Sequence, residues 1–143
     1  MKNDEYYMNI AYKEALKAHK IKEIPVGAVI VDQLGNILGK GYNKKEKDNK
    51  TVSHAEINAI TQANKKIQNW RLNGCTLYVT LEPCDMCKKV IEEARIKKVI
   101  YAANKIVVKN YNTTYETIND EGLIKKSKEL MDDSFINIRS KNG

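Results

Sequence analysis

Two short motifs constrain this chain more than anything else in it. His54-Ala55-Glu56 and Pro83-Cys84-Asp85-Met86-Cys87 set His54 and Cys84 thirty positions apart. One imidazole and two thiolates are zinc ligands, and a set of three leaves the fourth tetrahedral position open, as in a catalytic rather than a structural site. A fold that uses His54, Cys84 and Cys87 together must bring two distant segments to one point. Both segments read as helix starts. Ser53 and His54 precede the periodic stripe Ala59, Ile60, Ala63, Ile67, and Pro83 is expected at the first helical position of the next helix. Cys84 and Cys87 are three apart and share a helix face. His54 and Glu56, two apart, converge only by leaning over an open helix end. Two helix N-termini are therefore expected side by side, where their partial positive charge favours the thiolate form. Glu56 is the candidate general acid–base.

The rest of the pattern supplies the frame. A helix is expected from about Asp4 to His19, with Tyr7, Ile10, Ala11, Ala15 and Ala18 on one stripe. Pro25 breaks it. Val26–Val31 and Ile37–Tyr42 read as a hairpin turned by Asp32, Gly35 and Asn36. Asn43 to Val52 reads as a polar loop. Cys75–Leu81 and Lys97–Ala102 read as strands, with a helix from Pro83 between them. Ile106–Val108 reads as a further short strand, and about Asn119 to Arg139 as mostly helix anchored by Leu130, Met131 and Phe135. This alternation predicts an α/β layered domain with a sheet between helices. No repeat, low-complexity tract or linker interrupts it, so residues 1–143 are expected to form one domain.

Composition excludes several classes. Three cysteines, an odd number, behind a polar start argue against a disulfide framework. No apolar run approaches the ~18 residues of a membrane span, and a cytoplasmic protein without membrane contact is expected. The net charge of +7 favours a polyanionic partner, with Lys44, Lys45, Lys47 and Lys50 in one loop, whereas Lys125, Lys126 and Lys128 read as the solvated side of a helix. Each part of the constellation has another reading. Ser53-x-x-Glu56 also fits a capping box, a lone C-x-x-C fits a redox pair or half a zinc ribbon, and His54 alone fits an ordinary capping residue. Their joint occurrence favours the catalytic metal site. Cys75 reads as a buried apolar residue and His19 as a cation at a helix C-terminus.

At this point the chain resembles the cytidine deaminase-like superfamily, and within it the bacterial tRNA adenosine deaminases. The likeness is carried by Glu23–Val29, Gly41-Tyr42-Asn43, His54–Ile60, Trp70-Arg71-Leu72, Thr76–Cys87, Glu121–Ile124, Phe135 and Arg139. The resemblance implies a three-layer α/β/α fold with a central mixed five-stranded sheet and one zinc ion per chain. It also implies a homodimer that converts the wobble adenosine of a tRNA anticodon stem-loop to inosine. Glu56 would match the proton shuttle, and Asn43 a residue that hydrogen-bonds the target nucleoside, although Asn43 also fits a turn after a strand. The chain departs from that pattern at Lys50-Thr51-Val52-Ser53 and in the glycine-free segment Asn104–Asp120. The second departure implies weaker discrimination of the bases flanking the target. A free-purine deaminase of the guanine deaminase kind, a zinc-retaining nucleic-acid-binding subunit and a thiol redox protein are the competing readings.

Overall fold

The computed structural model describes residues 1–104, 116, 119–122, 124–126, 128–130 and 132–133. The chain divides into two compact units, residues 1–107 and 108–143. In the first, α1 (Asp4–Lys20) starts at Asn3, whose Oδ1 accepts the Tyr6 N–H at 2.9 Å, with Asp4 and Glu5 in the first turn. His19 falls in its last turn. The hairpin β1 (Gly27–Val31) and β2 (Ile37–Tyr42) turns on Asp32, whose Oδ1 accepts from the Leu34 and Asn36 amides at 2.9 and 2.8 Å. Gly35 sits there at φ +88°, a region that favours glycine.

A four-residue helix, α2 (Lys45–Asp48), precedes α3 (Ala55–Ile67), β3 (Thr76–Leu81), α4 (Asp85–Glu93) and β4 (Lys98–Ala103). The sheet order is β2-β1-β3-β4. β1 pairs antiparallel with both neighbours, while β3 and β4 run parallel. Alternation along β1 sorts the core into two layers. Val29 and Val31 face Tyr7 and Ala11 of α1. Ala28 and Ile30 pack with Ala55, Ala59 and Ala63 of α3 and Ile91 of α4.

The layers approach closely because β2 presents glycine to α3. A Cβ on Gly39 would stand 2.2 Å from the Ala59 carbonyl, and one on Gly41 would stand 2.4 Å from the Ala55 carbonyl. Both contacts are with backbone, which cannot swing aside, so α3 lies directly on the strand. That contact sets the height of the first turn of α3 above the sheet.

Three differences from the sequence-based expectation have physical causes or limits. The sheet has four strands among the described residues rather than five, and the expected strand Ile106–Val108 lies outside them. The expected polar loop contains α2. Lys44 offers it no side-chain cap, but Glu23, from the segment before β1, accepts the Glu46 and Lys47 amides at 2.8 and 3.0 Å. Pro83 is not inside α4: Cys84 is the N-cap, and buried Pro83 precedes it. There the proline holds Glu82 in extended backbone and carries β3 straight to the cap. In the second unit, the described positions from Glu121 to Asp133 are helical, while Met131 and Phe135 lie outside the described residues.

Candidate active site

The N-termini of α3 and α4 meet beyond the C-terminal end of β3. His54 caps α3 at φ −86°, ψ 153°, and Cys84 caps α4 at φ −70°, ψ 170°. Both caps are extended, and neither side chain bonds to its own helix. They turn toward each other instead. His54 Nδ1 lies 3.8 Å from Cys84 Sγ and 3.4 Å from Cys87 Sγ. The three ligand atoms all fall within 4.8 Å of one another. Nitrogen and sulfur ligands of one tetrahedral zinc stand about 3.5 Å apart, given the usual bond lengths. The observed spacing fits such an ion.

The electrostatics agree. Burial, and after it the Glu56 carboxylate and the neighbouring Cys84, pushes the Cys87 thiol well above its ordinary value. Two sulfurs and a carboxylate crowded together in a buried place call for a cation to balance them. Burial and then the charge of Lys45 depress the His54 imidazole, which favours the neutral form that binds metals.

Glu56 is buried on the second residue of α3. Burial raises its carboxyl above the usual range, against hydrogen bonds from its own backbone amide and from Cys87. The capping-box reading fails here. The cap position belongs to His54, and the buried Ser53 hydroxyl donates to Asp48 Oδ2 at 2.8 Å while accepting from Asn58 Nδ2 at 3.1 Å.

Asn43 has a structural task of its own. Its Oδ1 accepts the Ala55 N–H, the first amide of α3, at 2.8 Å, and Asn43 is 6% exposed. Replacing it by alanine strands that buried amide, and the expected cost is about 1–3 kcal/mol. Asn43→Asp keeps the acceptor and is expected to recover most of the loss. Denaturant midpoints of the two variants check this, and equal destabilisation would refute it.

His54, Glu56, Cys84 and Asn43 all line one cavity of about 460 Å³. Its other walls are Ile24, Val26, Leu81, Glu82 and Asn104. Sequence reasoning did not single these out, although all but Asn104 lie in or beside the motif-bearing stretches. Asn58 was also missed. Its Nδ2 joins the Tyr42 carbonyl at 2.9 Å to Ser53 Oγ, so it ties the segment before Asn43 to the segment before His54. No short-range pattern marks such a bridge. Cys75 is buried at the opposite end of β3 and takes no part.

Known proteins resemble this chain in sequence and fold. The cytidine and deoxycytidylate deaminase zinc-binding region matches residues 1–103. A tRNA-specific adenosine deaminase of Streptococcus pyogenes serotype M1 is 43% identical over 123 residues, 86% of this chain and 71% of that protein. One from Bacillus subtilis strain 168 is 45% identical over 103 residues, 72% of this chain and 63% of that one. Among solved structures, one from studies of tRNA:A34 deaminases superposes with a TM-score of 0.68 at 39% identity, covering 71% of this chain and 77% of that one. A guanine deaminase from Bacillus subtilis gives a TM-score of 0.79 at 26% identity, covering 92% and 95%. The matched region contains every residue that converges on the cavity apart from its rim at Asn104, and on that footing the chain belongs to the cytidine and deoxycytidylate deaminase family.

Proposed function

We propose that the chain hydrolyses adenosine to inosine at the wobble position of a tRNA anticodon, releasing ammonia, with residues 1–143 acting as one deaminase domain. The observation that carries the chemistry is the convergence of an imidazole, two thiols and a buried carboxylate on one cavity. The substrate is inferred from relatives 43–45% identical that are tRNA-specific adenosine deaminases.

His54, Cys84 and Cys87 would hold one zinc ion. Zinc, when bound, supplies the Lewis acidity that makes water a nucleophile near neutral pH. Glu56 does the proton work. Its carboxylate accepts a proton from the attacking water and passes it to the purine ring nitrogen as the new C6–O bond forms. It then moves the second proton to the departing amine as the C6–N bond breaks. Burial suits both halves of that cycle, because it brings the protonated and ionised forms closer in energy. Asn43 bonds to α3 through its oxygen, which leaves its amide nitrogen for the nucleoside. Ile24, Val26 and Leu81 offer the base apolar walls.

A free-purine substrate is the second reading, favoured by the higher TM-score and wider coverage of the guanine deaminase structure. Competition among an anticodon stem-loop, free adenosine and free guanine, with product read by mass, separates the two. Inosine is expected in the stem-loop only. Turnover of guanine with the stem-loop untouched would overturn the RNA reading.

We infer a homodimer in which the partner helps frame each RNA site. Sedimentation equilibrium at micromolar concentration is expected to return about twice the chain mass. A clean monomer that still edits the stem-loop would remove this part. A tRNA substrate puts the working enzyme in the cytoplasm, and no helix among the described residues is long and apolar enough to cross a membrane.

A further inference from the structure

A second groove, of about 430 Å³, runs along the outer edge of β2 between α1 and α3. Its character differs from that of the catalytic cavity. An outer strand edge would ordinarily offer free backbone groups to an incoming strand. Here α3 has taken two of them. The Lys40 N–H donates to Gln62 Oε1 at 2.8 Å, and the Tyr42 carbonyl accepts from Asn58 at 2.9 Å. A strand added along this edge would have to displace both side chains.

What the groove still offers is positive charge. Lys17, Lys40, Lys44 and Lys65 line it. The one carboxylate among the lining residues, Glu14, is buried and already paired with Lys17 at 2.8 Å. No acidic side chain among the described residues pairs with Lys40, Lys44 or Lys65. The Lys44 ammonium stands 5.1 Å over the Tyr42 ring, which holds it at the groove rather than free in solvent.

The groove and the catalytic cavity are joined through the chain that follows β2. Lys44 directly follows Asn43, which lines that cavity. Lys44 therefore stands where the chain passes from the β2 edge to the cavity wall.

We propose that the groove lined by Lys17, Lys40, Lys44 and Lys65 is an RNA-backbone surface that holds phosphates flanking the nucleotide seated in the catalytic cavity. This rests on the RNA reading above. Spaced ammonium groups suit a run of phosphates and carry no base preference.

The test is the salt dependence of anticodon stem-loop binding, followed by anisotropy between 50 and 200 mM salt, with turnover measured in parallel. Lys40→Gln combined with Lys65→Gln removes two exposed charges and leaves the Lys40 backbone bond to Gln62 in place. The slope of log affinity against log salt is expected to become shallower by about 1.4–1.8, at about 0.7–0.9 for each phosphate no longer neutralised. Over that range the affinity lost to salt would shrink roughly tenfold. Zinc content and melting temperature, read on the same samples, establish that the fold is intact. Lys89→Gln combined with Lys97→Gln removes the same charge on α4 and just before β4, and should keep the parental slope. A groove variant whose slope matches the parent overturns the proposal, as does a control variant that flattens equally. A parent chain that binds the stem-loop with steep salt dependence but edits nothing counts against deamination and leaves the groove standing. A parent chain that does not bind it at all overturns both.

Discussion

Glu56→Ala is expected to reduce deamination by about 10²–10⁴-fold, the usual contribution of a positioned acid–base group, while the protein keeps about one zinc per chain. The reason is division of labour. The three candidate ligand atoms cluster without Glu56, so removing its carboxylate leaves the metal's donors in place. Glu56 does touch Cys87, and it is buried, so alanine also opens a small hole beside the thiol. The isosteric Glu56→Gln fills that hole and keeps a polar contact with Cys87, but it cannot take up a proton. Both variants should therefore lose turnover to that extent and stay zinc-loaded. Metal analysis beside a turnover assay decides the matter. An active Glu56→Gln chain, or an inactive one stripped of zinc, would show that the role given to Glu56 is wrong.

Cys87→Ala is expected to lose both the metal and the stability that comes with it. Cys87 is fully buried, and its sulfur is the nearer of the two to the imidazole, at 3.4 Å. A ligand that binds only the folded chain stabilises it by about 4 kcal/mol at a thousand times its dissociation constant. For a chain of this size each kcal/mol is worth roughly 2–4 °C of melting temperature. The variant should melt on the order of 10 °C lower, and chelator should lower the melting temperature of the parent but not of the variant. Cys75→Ala is the control, since Cys75 is also buried yet lies apart from the ligand group. A Cys87→Ala chain with stoichiometric zinc would remove Cys87 from the site.

The sequence was most legible where structure is local. The α1 stripe, the hairpin turn at Asp32 and Gly35, and the strands ending at Tyr42 and Leu81 all follow from spacing and turn chemistry, and they stand within a residue or two of expectation. The convergence of His54, Cys84 and Cys87 was readable because three residues of two uncommon types sit at two helix starts. Legibility failed where a partner comes from far along the chain. α2 depends on Glu23, some twenty residues before it. The first turn of α3 depends on Asn43 and Asn58, so Ser53-x-x-Glu56 mimicked a capping box that does not form. The walls Glu82 and Asn104 belong to the cavity only because β3 and β4 run parallel and end together. None of these dependencies leaves a periodic trace.

The backbone contact between β2 and α3 has a consequence for reading sequence variation in this chain. Gly39 and Gly41 touch no ligand atom and line no part of the catalytic cavity. Yet any side chain there must push α3 off the sheet, and His54 and Glu56 ride on the end of that helix. In a saturation-mutagenesis map these two positions should look as intolerant as the chemical residues themselves. A survey that ranks sites by intolerance alone would then count two spacers among the catalysts, and only assays that score abundance apart from turnover would separate them.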